Sequence, residues 1–197
     1  MKKNVVILAA GDFPKKGGIA WRLLENADAV VCCDSAGDAF RLRFAREPDA
    51  VVGDCDSVKG CFGNVVHVAE QETNDLEKAV LYCRSKGWRS PVLLGATGRR
   101  EDHTIGNVFR AMSLGLEVVS DYGRFVPFCG RKSFAARKGA AVSIFATDPA
   151  TRMSSKGLEW PLDGVEFRNL YCATLNRATG KRVTIESDRP ALVYFAW

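Results

Sequence analysis

The sequence predicts an α/β N-terminal domain, a mostly parallel sheet with flanking helices, followed by an all-β sandwich C-terminal domain. Three observations carry this reading. Short apolar or β-branched runs, each followed by Gly, Asp or Ser, recur along the first part of the chain. Segments with apolar residues at helical spacing fill the gaps between them. Beyond about Tyr122 that helical period disappears, and short apolar runs alternate with Gly, Pro, Asn and Asp. The expected domains are therefore residues 1–122 and 123–197.

In chain order, the expected strands of the first domain are Val5 to Ala10, Ala29 to Cys33, Ala50 to Gly53, Val65 to Val68, Val92 to Leu94 and Glu117 to Asp121. Continuous apolar runs suit strands buried on both faces. Between them, Leu76, Ala79, Val80 and Cys83 share one helical face, as do Ile105, Val108, Phe109 and Met112. Gly87 and Gly115 stand where glycines end helices. Strands alternating with helices form parallel sheets whose ligands bind at the strands' carboxyl ends. In the second domain the expected strands are Phe125 to Phe128, Ala141 to Ala146, Val183 to Glu186 and Ala191 to Phe195.

Composition narrows the function classes. With 197 residues and 47% hydrophobic content the chain carries a real core. Its formal charge of +5, from 28 basic and 23 acidic residues, is spread without a basic block or interleaved aromatics. This argues against nucleic acid and suits a small anionic substrate, with a role in solubility alone as the competing reading. Seven cysteines, none in a C-x-x-C pair, sit mostly in apolar stretches and point to a reducing cytoplasm. The apolar run after Met1-Lys2-Lys3-Asn4 stops at Gly11-Asp12, too short for a secretory signal, and no stretch approaches the ~20 apolar residues of a membrane span.

The candidate chemistry lies in loops after the strands. Gly53-Asp54-Cys55-Asp56-Ser57 follows the third strand, and on extended backbone Asp54 and Asp56 face the same side, placed to share a hard cation. A capped turn is the competing reading. In Gln71 to Glu77, Asn74 is placed to cap a helix with Glu77 as its capping partner, which puts Asp75 in the first helical turn. There Asp75 serves either a ligand or only the helix dipole. Gly95-Ala96-Thr97-Gly98-Arg99-Arg100-Glu101-Asp102-His103 leaves the fifth strand and enters a helix, offering backbone amides and arginines to phosphate, although it lacks a Walker Lys-Ser/Thr. Cys33 to Asp38 adds Asp34, as ligand or helix cap, with Asp38 behind it. Acids delivered to one sheet edge call for a counter-charge, and a metal-bound nucleotide supplies it.

Read in order, Cys33-Asp34-Ser35-Ala36-Gly37-Asp38, Gly53 to Ser57, Asn74-Asp75-x-Glu77 and Gly95 to His103 resemble the motif series of thiamine pyrophosphokinases. Gly157-Leu158-Glu159-Trp160-Pro161-Leu162, with Asn176 after it, is similar to that family's thiamine-domain signature. The resemblance implies transfer of pyrophosphate from Mg-ATP to thiamine, a homodimer with sites at the subunit interface, and a β-sandwich that binds thiamine and dimerises. It places Asp54, Asp56, Asp75 and Asp102 at Mg2+, with Arg100 as the glycine-loop arginine. Asp34, Ser35, Gly95, Thr97, Gly98, Arg99 and His103 fall on the nucleotide side, and Trp160 and Asn176 on the thiamine side. The chain departs from the family pattern at Ser35-Ala36, Asp38, Asn74, Arg99 and Leu175. Two other readings stay open: a pyrophosphokinase for another heterocyclic alcohol such as a hydroxymethylpterin, and a non-catalytic nucleotide or thiamine sensor.

Overall fold

The computed structural model describes residues 3–54, 56, 58–68 and 72–197. Cys55, Ser57 and Gln71 of the acidic motifs lie outside the described residues. The chain divides into two compact units, Met1–Phe109 with Val118–Asp121, and Arg110–Glu117 with Tyr122–Trp197.

The first unit runs β1 (Val5–Leu8), α1 (Ile19–Glu25), β2 (Ala29–Cys33), α2 (Ala36–Phe44), β3 (Ala50–Gly53), β4 (Val65–His67), α3 (Asp75–Ser85), β5 (Val92–Leu94), the first part of α4 (Glu101–Leu114) and most of β6 (Glu117–Val119). The strand order is β6-β5-β1-β2-β3-β4. The pairs β5–β1, β1–β2, β2–β3 and β3–β4 are parallel. Strands β1, β2 and β3 are buried along their whole length, as their unbroken Val, Ile, Leu and Ala runs require. Leu24, Val30 and Phe40 pack into the same core, each fully buried large side chain stabilising the fold by ~1.5–3 kcal/mol. Strand β4 departs from the expectation of a strand buried on both faces: as the edge strand it exposes Val65 and His67.

Chain order reverses at β1, whose neighbours are β2 on one side and β5 on the other. Such a switch point opens a crevice at the carboxyl ends of the strands. Here the two strand ends stay laced together. Ala9 N–H donates to Leu94 O at 2.9 Å, Gly11 N–H to Gly95 O at 2.7 Å and Asp12 N–H to Thr97 O at 2.8 Å.

The second unit is antiparallel: β7 (Gly123–Ala135), β8 (Ala141–Phe145), β9 (Met153–Lys156), β10 (Ala173–Arg177) and β11 (Arg182–Ala196). Ile144, Leu162, Ile185 and Val193 centre its core. The two short runs expected at Val183 to Glu186 and Ala191 to Phe195 are halves of the single strand β11. Asp188-Arg189-Pro190, which lies between the two expected runs, forms an irregularity in the β7–β11 register between Ser187 and Ala191. Buried Ser187 Oγ bonds Arg189 O at 2.7 Å across it. The first half of β11 pairs with β9 and the second half with β8, while β7 accompanies both. Strands β9 and β10 lack a long apolar run, and the expected strand set omits them.

Candidate active site

Parallel register brings the first acids together. Cys33 lies opposite Val52, so the next residues, Asp34 and Gly53, leave β2 and β3 side by side. Asp34 turns sharply, with φ of 45°, while its N–H donates to Val52 O at 3.1 Å. Its Oδ1 is buried and meets no hydrogen-bond partner among the described residues. The alternative reading of Asp34 as a helix cap is not realised, because Ser35 occupies the cap position of α2. Gly53 keeps the space between the acids open: a Cβ there would lie 3.2 Å from Asp75 Oδ1 and 3.4 Å from Asp34 Cβ.

Asp75 begins α3. Asn74 caps that helix as its position suggested, its Oδ1 accepting from Glu77 N–H at 2.9 Å. Burial pushes the Asp75 carboxyl above its ordinary value; Lys78 opposes the shift, and the charges of Asp54 and Asp34 add to it. Asp34, Asp54 and Asp75 thus form one electrostatic group. Its counter-charge, Lys78, escaped the sequence reading. This lysine is only 5% exposed, and its Nζ lies 3.6 Å from Asp75 Oδ1. The readable signal was the i,i+3 spacing of acid and base in the first turns of α3.

The remaining acids behave differently. Asp56 is exposed and its N–H folds back to Asp54 Oδ1 at 3.3 Å, so the backbone turns after Gly53 instead of staying extended. The two carboxylates are therefore not related by strand alternation; an aspartate accepting the amide two residues on is the physical reason. Asp102 and Arg100 pair with each other at 2.6 Å, both well exposed at the start of α4. The Arg100 guanidinium, together with the His103 backbone amide, holds the Asp102 carboxyl down at about 2. Arg100 thus neutralises Asp102 locally. Exposed His103 meets Asp102 through its backbone N–H at 2.9 Å.

The glycine loop is shaped by Asp12. Gly98 has φ of 80°, and any Cβ on it would collide with the Asp12 carboxylate. Gly95 has φ of 65° and would likewise clash with Ala9 O. Arg99, at φ of 60°, donates from Nη1 to Ala10 O at 3.1 Å, and Gly98 N–H donates to Thr104 Oγ1 at 3.1 Å. The loop from Gly95 to Arg100 is thereby tied to the end of β1.

In the second unit, Trp160 is 53% exposed and so stands outside the core. Asn176 is 4% exposed and engaged: its Oδ1 accepts from Trp160 and Arg177 N–H, and its Nδ2 donates to Trp160 O. Between these bonds and Tyr171, Leu175 adopts φ of 62° with its side chain 68% exposed.

Comparison with known proteins bears on the whole chain. Residues 20–118 match the family model of the thiamin pyrophosphokinase catalytic domain, and residues 123–194 match that of the thiamin pyrophosphokinase substrate-binding domain. The chain belongs to the thiamin pyrophosphokinase family. Among its relatives, thiamine pyrophosphokinase 1 of Arabidopsis thaliana is 26% identical over 180 residues, covering 79% of this chain and 67% of the plant protein. The fold is similar to that of the thiamin pyrophosphokinase from Geobacillus thermodenitrificans, with TM-score 0.78, 19% identity and coverage of 98% and 97% of the two chains. It is also similar to that of the yeast enzyme, with TM-score 0.78, 13% identity and coverage of 100% and 87%.

Among the described residues, no group of three or more His, Cys, Asp or Glu side chains stands ready-made to hold a metal. The chemistry of the donors nonetheless fits a divalent cation that takes part of its coordination from phosphate. Asp34 Oδ1 is buried and unpartnered among the described residues, and burial, with the nearby charges of Asp54 and Asp34, raises the Asp75 carboxyl above its ordinary value. Magnesium needs only one or two carboxylates beside phosphate oxygens and water. No helix of the described residues is long and apolar enough to cross a membrane.

Proposed function

We propose that this member of the thiamin pyrophosphokinase family transfers the terminal diphosphate of ATP to the hydroxyl of thiamine, giving thiamine diphosphate and AMP. The observation that carries the proposal is the convergence of Asp34, Asp54 and Asp75 at the carboxyl ends of β2 and β3 and the start of α3, in a chain matched by both domain models of the family.

The thiamine hydroxyl oxygen attacks the β-phosphorus, the bond from the bridging oxygen to that phosphorus breaks, and AMP leaves with the electron pair. The protein's tasks are to align the reactants and to receive charge and proton. A magnesium ion bound among Asp54, Asp56, Asp75 and Asp102 would neutralise charge spreading over the phosphate oxygens. Lys78 balances the acid group from beneath. Amides of Gly95, Thr97 and Gly98, with Arg99 and Arg100, are assigned to the phosphates. Asp34 and Ser35 border the nucleotide, and His103 braces the loop. One aspartate of the converging group accepts the hydroxyl proton.

Residues 1–122 supply the nucleotide domain and residues 123–197 the thiamine-binding and dimerising domain. There Trp160 stacks on the cationic heterocycle, a contact worth about 0.5–2 kcal/mol. Asn176 acts through Trp160. The working form is a cytoplasmic homodimer. Incubating pure protein with Mg-ATP and either thiamine or a hydroxymethylpterin, and following AMP and the diphosphorylated product, tests the proposal. Thiamine diphosphate and AMP in equal amounts are expected; no AMP with either acceptor would overturn it in favour of a sensor.

A further inference from the structure

We infer that Asp38 and Arg41 of α2 are positioning residues that staple the loop after Asp54 and Asp56 onto α2, and so hold those acids where a cation can use them. The inference rests on the function proposed above for its consequence, but the staple stands on geometry alone.

Among the described residues, the loop from β3 to β4 carries no helix or strand of its own. It begins with the acids at Asp54 and Asp56 and regains sheet pairing only near Asn64, whose O accepts from Val51 N–H at 2.9 Å. No helix or strand forms between Val58 and Asn64. An unsupported loop of this length would spread over many conformations and present its acids poorly.

Asp38 supplies what the loop lacks. Its two carboxylate oxygens accept from successive amides, Lys59 N–H to Oδ2 and Gly60 N–H to Oδ1, both at 2.9 Å. One helical turn on, Arg41 donates from Nη1 to Cys61 O at 2.9 Å, and its guanidinium lies 4.6 Å from the centre of the Phe62 ring. Arg41 Nη2 also lies 3.9 Å from Asp38 Oδ1. Four successive residues, Lys59 to Phe62, thus meet one side of α2.

Two glycines make the fit possible. A Cβ on Gly60 would collide with Arg41 Nη2 and lie 2.7 Å from Asp38 Oδ1. A Cβ on Gly37 would lie 2.8 Å from Val51 Cγ2 and 3.2 Å from Phe62 Cζ, so only glycine lets α2 sit this close to β3 and the loop. Both Asp38 oxygens accept loop amides, so the carboxylate is engaged by the loop. The charged form matters here. An asparagine keeps one acceptor but turns an NH2 toward the second amide, so at most one of the two bonds survives.

The test compares Asp38→Asn, Asp38→Ala and Arg41→Ala with the parent protein. Hydrogen exchange at the Lys59 and Gly60 amides, and trypsin cleavage after Lys59, read the staple. Mn2+ affinity in the presence of ATP, measured by electron paramagnetic resonance, reads the acids it positions. Faster exchange and cleavage are expected in all three variants, with Mn2+ bound roughly 10-fold more weakly, the usual scale for losing a partner of the ligand-bearing groups. Turnover at saturating metal should largely recover. Asp38→Asn keeps the side chain's size and serves if Asp38→Ala does not fold. Unchanged exchange overturns the staple, and faster exchange with unchanged Mn2+ affinity overturns its positioning role. A parent protein that binds no Mn2+ overturns the metal role and the inference together. One that binds Mn2+ but releases no AMP overturns the proposed reaction while leaving the inference standing.

Discussion

Asn176 grips Trp160 by both sides of its backbone: Oδ1 accepts from Trp160 N–H at 3.2 Å and Nδ2 donates to Trp160 O at 2.6 Å. Sixteen residues apart in sequence, the two form one unit in which a buried amide fixes the chain beneath an exposed ring. Asn176→Ala leaves Trp160 N–H and C=O without these partners and should destabilise the protein by about 1–3 kcal/mol. It should also raise the KM for thiamine with little change in that for ATP. Asn176→Asp, which keeps the acceptor and loses the donor, should lie between. Thermal unfolding and steady-state kinetics check both; an equal rise in both KM values would deny Asn176 a role specific to Trp160.

Asp54 and Asp75 should separate under substitution, since only Asp75 faces Lys78. Both Asp54→Asn and Asp75→Asn are expected to lower turnover by at least ~100-fold, as loss of a charged group at the reacting phosphates does. Asp75→Asn also strands the buried Lys78 ammonium. Because the Asp75 side chain is itself 35% exposed, the cost is discounted to about 1–2 kcal/mol. Urea midpoints measure the difference. Equal midpoints would mean that the Asp75–Lys78 pair contributes nothing to the fold.

Gly98→Ala tests the glycine loop. The added methyl meets the Asp12 carboxylate at a backbone φ of 80°, so the loop must shift. A loss of about 2–3 kcal/mol and a raised KM for ATP are expected. The double variant Asp12→Ala/Gly98→Ala removes the clash and should recover part of the loss. No recovery would assign the whole effect to backbone strain.

Thiol reactivity should split the described cysteines cleanly. Burial pushes the Cys83 thiol up to about 12 and raises those of Cys32 and Cys33 well above the ordinary range, so these three stay protonated and inaccessible. Cys61, Cys129 and Cys172 are exposed. A thiol reagent at neutral pH should modify the exposed three in the native protein and the buried three only after denaturation. Rapid modification of Cys33 would show that the core around Asp75, whose O accepts from Cys33 Sγ at 3.7 Å, opens readily.

Much of the first unit was legible because local rules and tertiary packing agree there. The strands at Ala29–Cys33, Ala50–Gly53 and Val92–Leu94 carry the bounds that their apolar runs indicate. Gly87 and Gly115 follow helices α3 and α4 at φ of 71° and 75°, the left-handed conformation that ends a helix and suits glycine. The second unit was less legible. β11 tolerates Asp188-Arg189-Pro190 because β7 continues on both sides of it, a long-range pairing that no local pattern records. The polar β9 is a strand only because Met153 to Lys156 lie along Ser187 to Thr184.

By itself the sequence determined that apolar strands would be followed by acidic loops, since burial forces the runs inside and leaves Asp and Gly to turn the chain. It also determined that Asp75 would open a helix, because Asn74 caps it. Which acids meet was decided only in three dimensions. Parallel register sets Asp34 beside Gly53, and the missing Cβ admits Asp75. Asp38 and Asp102, which also follow strand ends in sequence, are taken up by the Lys59 and Gly60 amides and by Arg100. Carboxylates bind whatever donor the fold brings within reach, and that choice is made by packing between segments far apart in the chain.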